Sequence, residues 1–286
     1  MESSLEAIRS RMEALARQLL AISDDRLADS WGWRGARRTV RFALYRIYEL
    51  LEEAAANLAS GLTSSAGSAL RGRVTAARWS LHGSLLSHDS LVDAIPGDDW
   101  SLRLVLTHLI NAHEFWSWQL GHLLDQIQAT GTIPYNGYVR EQVPDSVARQ
   151  PDRRPGSLSY LRRELDHYVD SGLNHLTSLE VAGFLDQPIK FQGASVTLRY
   201  FPSRWSAHLS EHRLQVDKTI ESLDHRREVA QVVGRILGAY GELESSVLSY
   251  QADLTAMATS PELDEIESCV VSLGKETVPD AGPAER

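Results

Sequence analysis

Apolar residues recur along most of this chain at the three- and four-residue spacing of a helix face. Leu5, Ile8, Met12, Leu15 and Leu19 predict an N-terminal helix, with Ser3 and Glu6 forming a capping box at its start. Val40, Leu44, Ile47 and Leu51 predict a second helix, reaching about Leu58. Val74, Ala77, Leu81 and Leu85 predict a third over residues 69–93. A fourth, with Asp98, Asp99 and Ser101 as candidate caps, runs to about Gln128 with Val105, His108, Leu109, Ala112, Trp116, Leu120 and Leu123 inward. Ser157 caps a fifth, whose stripe is Leu158, Leu161, Leu165, Tyr168 and Leu176. A sixth starts between Thr197 and Ser203 and places Trp205, His208, Leu209, His212, Val216, Ile220 and Leu223 on one face. From Val229 to Leu254 the apolar steps alternate four and three, the seam of a helix that packs on another helix, although Gly234, Gly238 and Gly241 weaken it.

Breaks in this pattern divide the chain. Residues 24–37 are polar and carry Gly and Trp, and residues 60–68 are a Gly/Ser/Thr linker. Residues 130–156 hold four prolines and form a long structureless connection, a kind of loop that tends to be functional. Ile189, Phe191, Val196 and Leu198 flank Gln192-Gly193 and predict a short hairpin. The fold class is therefore all-α. It divides into a helical pair at 1–60, a helical domain at 69–225, a packing helix at 226–259 and a tail from 260 to 286.

Charge sharpens the picture at one end. The 286 residues carry a formal charge of −9, and more than half of it falls after residue 260. Seven acidic residues there face Lys275 and Arg286, with Pro279 and Pro283 among them, so the tail is expected to be disordered and dispensable. The acidic balance argues against nucleic-acid and anionic-membrane partners, which need a basic face. A single cysteine, Cys269, excludes an intrachain disulfide and a cysteine metal cluster. The start Met1-Glu2-Ser3-Ser4 has no apolar leader, and no apolar run reaches the roughly 18 residues of a spanning helix. A cytoplasmic location is expected.

Candidate chemistry lies in the apolar stripes. His208 and His212 are four apart and point the same way on a helix, inside its apolar face. His108 lies in the stripe of a different helix. Buried imidazoles must be hydrogen-bonded or ligated, and one divalent ion would satisfy all three while leaving open coordination positions. His113 stands about 140° around the helix from His108 and His122 about 21 Å along it. These two, with His82, His88, His167, His175 and His225, are expected to be surface or satisfied histidines. Glu114 and Glu211 are expected to be helix-surface charge, and Trp100, Trp116, Trp118 and Trp205 core residues. The two Glu-x-x-His motifs that a di-iron bundle needs are not both present, and His-Glu-x-x-His, Gly-x-Ser-x-Gly and a phosphate-binding glycine loop are missing. Residues 39–47 echo residues 101–109 with Arg46 in the place of His108. This is either a degenerate duplication or two amphipathic helices that agree by chance. A guanidinium is no metal ligand in either case, so no second ion is expected there.

The stretch Asp99-Trp100-Ser101-Leu102-Arg103-Leu104-Val105-Leu106-Thr107-His108-Leu109 resembles the segment opening the second helix of DinB-like (YfiT-like) proteins. The stretch His208-Leu209-Ser210-Glu211-His212-Arg213-Leu214-Gln215 resembles their last-helix signature, and the resemblance spans about residues 69–225. It implies an up-down four-helix bundle with additional N-terminal and C-terminal helices, and one ion (zinc, nickel, iron or manganese) on His108, His208 and His212. It also implies a metal-dependent transferase or isomerase that acts on a small molecule with an external low-molecular-weight thiol. The alternative is a non-catalytic metal-binding, ligand-sensing or assembly protein. In an up-down bundle the second and fourth helices run parallel, so the starts of the two histidine helices would meet at one end, beneath the 130–156 loop with Tyr135, Tyr138 and Arg140. The flanking helices are expected to form an added layer or a homodimer interface.

Overall fold

The computed structural model describes residues 2–33, 36–59, 66–95, 100–136, 142–191, 194–223, 227–250 and 261–276. Its helices are α1 (Glu2–Leu20), α2 (Val40–Ala59), α3 (Ala66–Leu85), α4 (Leu102–Thr130), α5 (Asp145–Ala148), α6 (Leu158–Val181), α7 (Tyr200–Ser222), α8 (Glu228–Tyr250) and α9 (Pro261–Glu276). Two antiparallel hairpins interrupt them: β1 (Ser30–Trp33) with β2 (Ala36–Thr39), and β3 (Pro188–Phe191) with β4 (Ala194–Thr197). The second hairpin is the expected one, although its turn residues Gln192 and Gly193 lie outside the described residues. The first occupies the polar Trp/Gly stretch, where two tryptophans broke the helical period without announcing a strand. Ser101 and Ser157 cap α4 and α6 as expected, accepting from the backbone N–H of Leu104 and Tyr160. Gly131, in the left-handed region at φ 72°, ends α4 and donates its N–H to the carbonyl of Ile127. No helix among the described residues is long and apolar enough to cross a membrane.

The apolar faces build two cores, and α3 is the wall between them. One face of α3, with Val74, Ala77, Leu81 and Leu85, closes a core with α4, α6 and α7. Its opposite side turns Trp79 into a second core made by α1, α2, α8, α9 and β1. The flanking helices therefore form an added layer within the chain. Asp24 fixes the start of α8, accepting from the backbone N–H groups of Glu228 and Val229 at 2.7 and 3.1 Å.

The glycines of α8 are where it meets α3. A Cβ on Gly83 would lie 2.6 Å from the carbonyl oxygen of Gly234. One on Gly241 would lie 2.7 Å from Cβ of Trp79. These positions trade helix propensity for close backbone approach.

The tail expectation fails for residues 261–276. They form α9, with Leu263, Ile266, Cys269, Val270 and Leu273 buried in the second core. Those residues step by three, three, one and three, so the acidic charge lies on the other side of an amphipathic helix. The final ten residues lie outside the described residues.

Helix directions in the first core also differ from an up-down order. Thr219 donates to the backbone carbonyl of Trp100 at 3.3 Å, and Trp205 stacks on Trp116 at 6.1 Å, so α7 runs antiparallel to α4. Ser117 meets Ser171 at 3.0 Å, and the Tyr168 hydroxyl donates to Glu114 at 3.0 Å, so α6 runs parallel to α4. Arg78 on Asp170 and His82 on Asp166 make α6 antiparallel to α3. The order along the chain is up, down, down, up. Residues 151–156, the described end of the long connection, lie along α4. Asn111 donates to the carbonyl of Pro151 at 2.9 Å, the Arg154 N–H donates to Thr107 at 3.0 Å, and Arg103 donates to the carbonyls of Arg154 and Gly156 at 2.9 and 2.8 Å. The Arg154 guanidinium pairs with Glu114 and Glu164.

Candidate metal centre

Three imidazoles converge between α4 and α7. His108 stands two turns into α4, while His208 and His212 are one turn apart on α7. The antiparallel crossing brings them to one level. Nε2 of His208 lies 3.0 Å from Nε2 of His108 and 3.2 Å from Nε2 of His212. Two nitrogens each about 2.1 Å from a common ion are separated by roughly 3.0 to 3.4 Å for angles between 90° and tetrahedral. The two separations from His208 fall in that interval, and the ligand nitrogens of all three residues lie within 4.8 Å of one another, so small adjustments of the rings would gather a single divalent ion.

The surroundings favour the ligand form of each ring. Nδ1–H of His212 donates to Oε1 of Gln215 at 2.9 Å, which leaves its Nε2 with a lone pair aimed at the cluster. Burial, followed by the charge of His212, His113 and His108, pushes the His208 pKa down to about 2. Burial likewise lowers His108 and His212, and the nearby Arg204 guanidinium adds to the effect on each. All three rings are neutral near pH 7, so a metal would displace no proton from them.

The site has an open side. His208 is buried, His212 half-buried and His108 exposed. Trp100, 40% exposed, stands over this side with its ring edge-on to His108 at 5.4 Å and parallel to His212 at 6.3 Å. Arg204 reaches past His208 to Glu211 at 3.1 Å. Trp100 is thus a rim residue of the site, in contrast to the core residue expected from its type. Trp116 and Trp205 are core, and Trp118 stacks on His122.

The remaining candidates separate cleanly. Glu211 is exposed helix-surface charge, as expected, whereas Glu114 is held by Arg154 and Tyr168 on the side of α4 that faces α6. His82 is buried and satisfied: Nδ1 accepts from Arg162 Nε–H at 2.7 Å, and Nε2–H donates to Asp166 at 2.7 Å. His113 is neither surface nor satisfied. It is 0% exposed, and neither ring nitrogen has a hydrogen-bond partner among the described residues. The carbonyl of Tyr135 accepts from the Lys190 N–H beside β3, while Tyr138 and Arg140 lie outside the described residues. Arg46 pairs with Glu49 on α2.

No protein-family model matches this chain, and neither a curated protein nor a solved structure gives a significant match.

Proposed function

We propose that the chain is a DinB-like protein that holds one divalent metal ion on His108, His208 and His212 and acts on a small molecule with a low-molecular-weight thiol. The observation that carries the metal reading is the convergence of three neutral imidazoles on a side open to solvent, with Nε2 of His208 at ligand spacing from Nε2 of both His108 and His212. An ion held by three imidazoles keeps positions free and lowers the pKa of a bound water or thiol. The α3, α4, α6 and α7 core spans nearly the same residues as the sequence resemblance, and the glutamine of the last-helix motif, Gln215, orients a ligand. Cys269 is buried in the other core, so a thiol for this site comes from outside the chain. Trp100 and Arg204 at the rim suit a small anionic or aromatic ligand better than a sealed structural ion.

The test is elemental analysis and cobalt titration of purified protein. About one ion per chain is expected, lost in His208→Ala and His212→Ala and weakened in His108→Ala. The cobalt spectrum should shift when a thiol is added. Full metal occupancy in all three variants would overturn the ligand set. A spectrum indifferent to thiols and other small ligands would leave a binding role without chemistry.

A further inference from the structure

Three unpartnered polar groups lie together beneath the histidine cluster. They are Nδ1 of His208, both ring nitrogens of His113 and Nε1 of Trp205, all inaccessible to solvent and without a hydrogen-bond partner among the described residues. The His113 ring centroid is 5.5 Å from that of Trp205, 6.2 Å from that of His208 and 5.1 Å from that of Trp116. Each such group left unsatisfied costs about 1 to 3 kcal/mol. Three of them in one place therefore call for a common explanation.

Their chemistry is complementary. A His208 that offers Nε2 to the cluster carries its proton on Nδ1, which makes Nδ1–H a donor. Trp205 Nε1–H is also a donor, and a neutral His113 offers one acceptor nitrogen and one donor. None of these atoms is directly hydrogen-bonded to another, and a single water with three polar partners would satisfy them together.

We propose that His113 completes the metal site from below, accepting the Nδ1–H of His208 through one buried water that Trp205 Nε1–H also holds. His113 is then a positioning residue. It fixes the tautomer and ring orientation of the one fully buried ligand, as Gln215 does for His212. The inference rests on the metal reading of the cluster.

The test compares His113→Phe with His113→Gln in the full chain, using cobalt and zinc alone as probes. The phenylalanine removes the acceptor and keeps a ring, and the glutamine keeps an acceptor oxygen. Metal affinity, measured by chelator competition, should fall about 10- to 100-fold in His113→Phe. It should stay within a few-fold of the parent in His113→Gln. The metal-free His113→Phe protein should still fold, as its circular dichroism reports, so that the loss is read at the metal and not at the fold. The ¹⁵N chemical shifts of His208 should report a single Nδ1–H tautomer in the parent and a tautomer mixture in His113→Phe. Parent-like affinity in His113→Phe, or an equal loss in both variants, would overturn the proposal. Failure of the parent itself to bind either metal would instead overturn the reading it rests on.

Discussion

His82 shows how a charge network sets the protonation of a single ring. Burial lowers its pKa from 6.5, and the neighbouring Arg162 and Arg78 guanidiniums oppose the proton further, against the pull of Asp166. The unfolded chain takes up a proton at this histidine below about pH 6.5, while the folded chain does not until lower pH. Stability contributed by the neutral ring is therefore complete above pH 6.5 and lost as pH falls below it. Each such histidine contributes a slope of up to about 1.4 kcal/mol per pH unit. His108, His208, His212 and His113 are shifted the same way. The urea midpoint of the metal-free protein should thus drop steeply between pH 7 and 5. In His82→Gln the slope should be shallower by about one proton. A flat profile over that range in the parent would show that these rings are protonated in the folded state. At this scale the sequence was informative about which residues carry chemistry and silent about their partners. His208 and His212 announce themselves by a four-residue repeat within an apolar stripe. His113 does not, because its environment comes from α7 crossing α4 in the direction opposite to that expected.

Helices were legible wherever an apolar stripe was buried against one neighbour, and less so where the neighbour demanded something unusual. The glycines of α8 are an instance: by propensity they weaken the helix, and in the fold they admit α3. Ala is worth about 1 kcal/mol more than Gly inside a helix. At Gly83 that gain is outweighed, since a methyl would press on backbone atoms of Gly234 at 2.6 and 2.8 Å. Overpacking of this kind costs about 1 to 3 kcal/mol. Gly83→Ala should therefore lower the unfolding free energy. Gly238→Ala meets only the Ser80 hydroxyl, at 3.3 Å, and should be neutral or mildly stabilising. Equal thermal shifts for the two substitutions would disprove a contact-specific role for the seam. The helix order was illegible for a related reason. Nothing in the periodicity of the stretch before α6 says that residues 151–156 run along α4, yet Arg103 and Arg154 hold them there through backbone carbonyls and half-buried carboxylates.

The whole molecule is two cores sharing α3, and charge as well as apolar area joins them. Glu244, 0% exposed on α8, binds Arg9 of α1, Arg78 of α3 and the indole N–H of Trp79, while Arg78 continues to Asp170 on α6. The C-terminal helix belongs to the outer core and packs on α1 and α2. Its net acidity led the sequence reading toward a dispensable tail, because composition averages over a helix whose two faces differ. Fully burying an aliphatic side chain contributes about 1.5 to 3 kcal/mol, and α9 buries four of them along with Cys269. Removal of residues 261–286 should therefore cost several kcal/mol even after the ordering entropy of α9 is recovered. The loss should appear as an earlier urea transition and as new dye-accessible apolar surface on α1 and α2. Ile266→Ala, a milder lesion at 1% exposure, should cost about 2 to 5 kcal/mol. Because the histidine cluster lies in the other core, the truncated chain should bind cobalt with the same stoichiometry wherever it remains folded. A truncated chain that unfolds together with the full-length protein in urea would show that α9 adds nothing to the outer core. One that stays folded but loses cobalt would show that the two cores do not divide the work as their packing indicates.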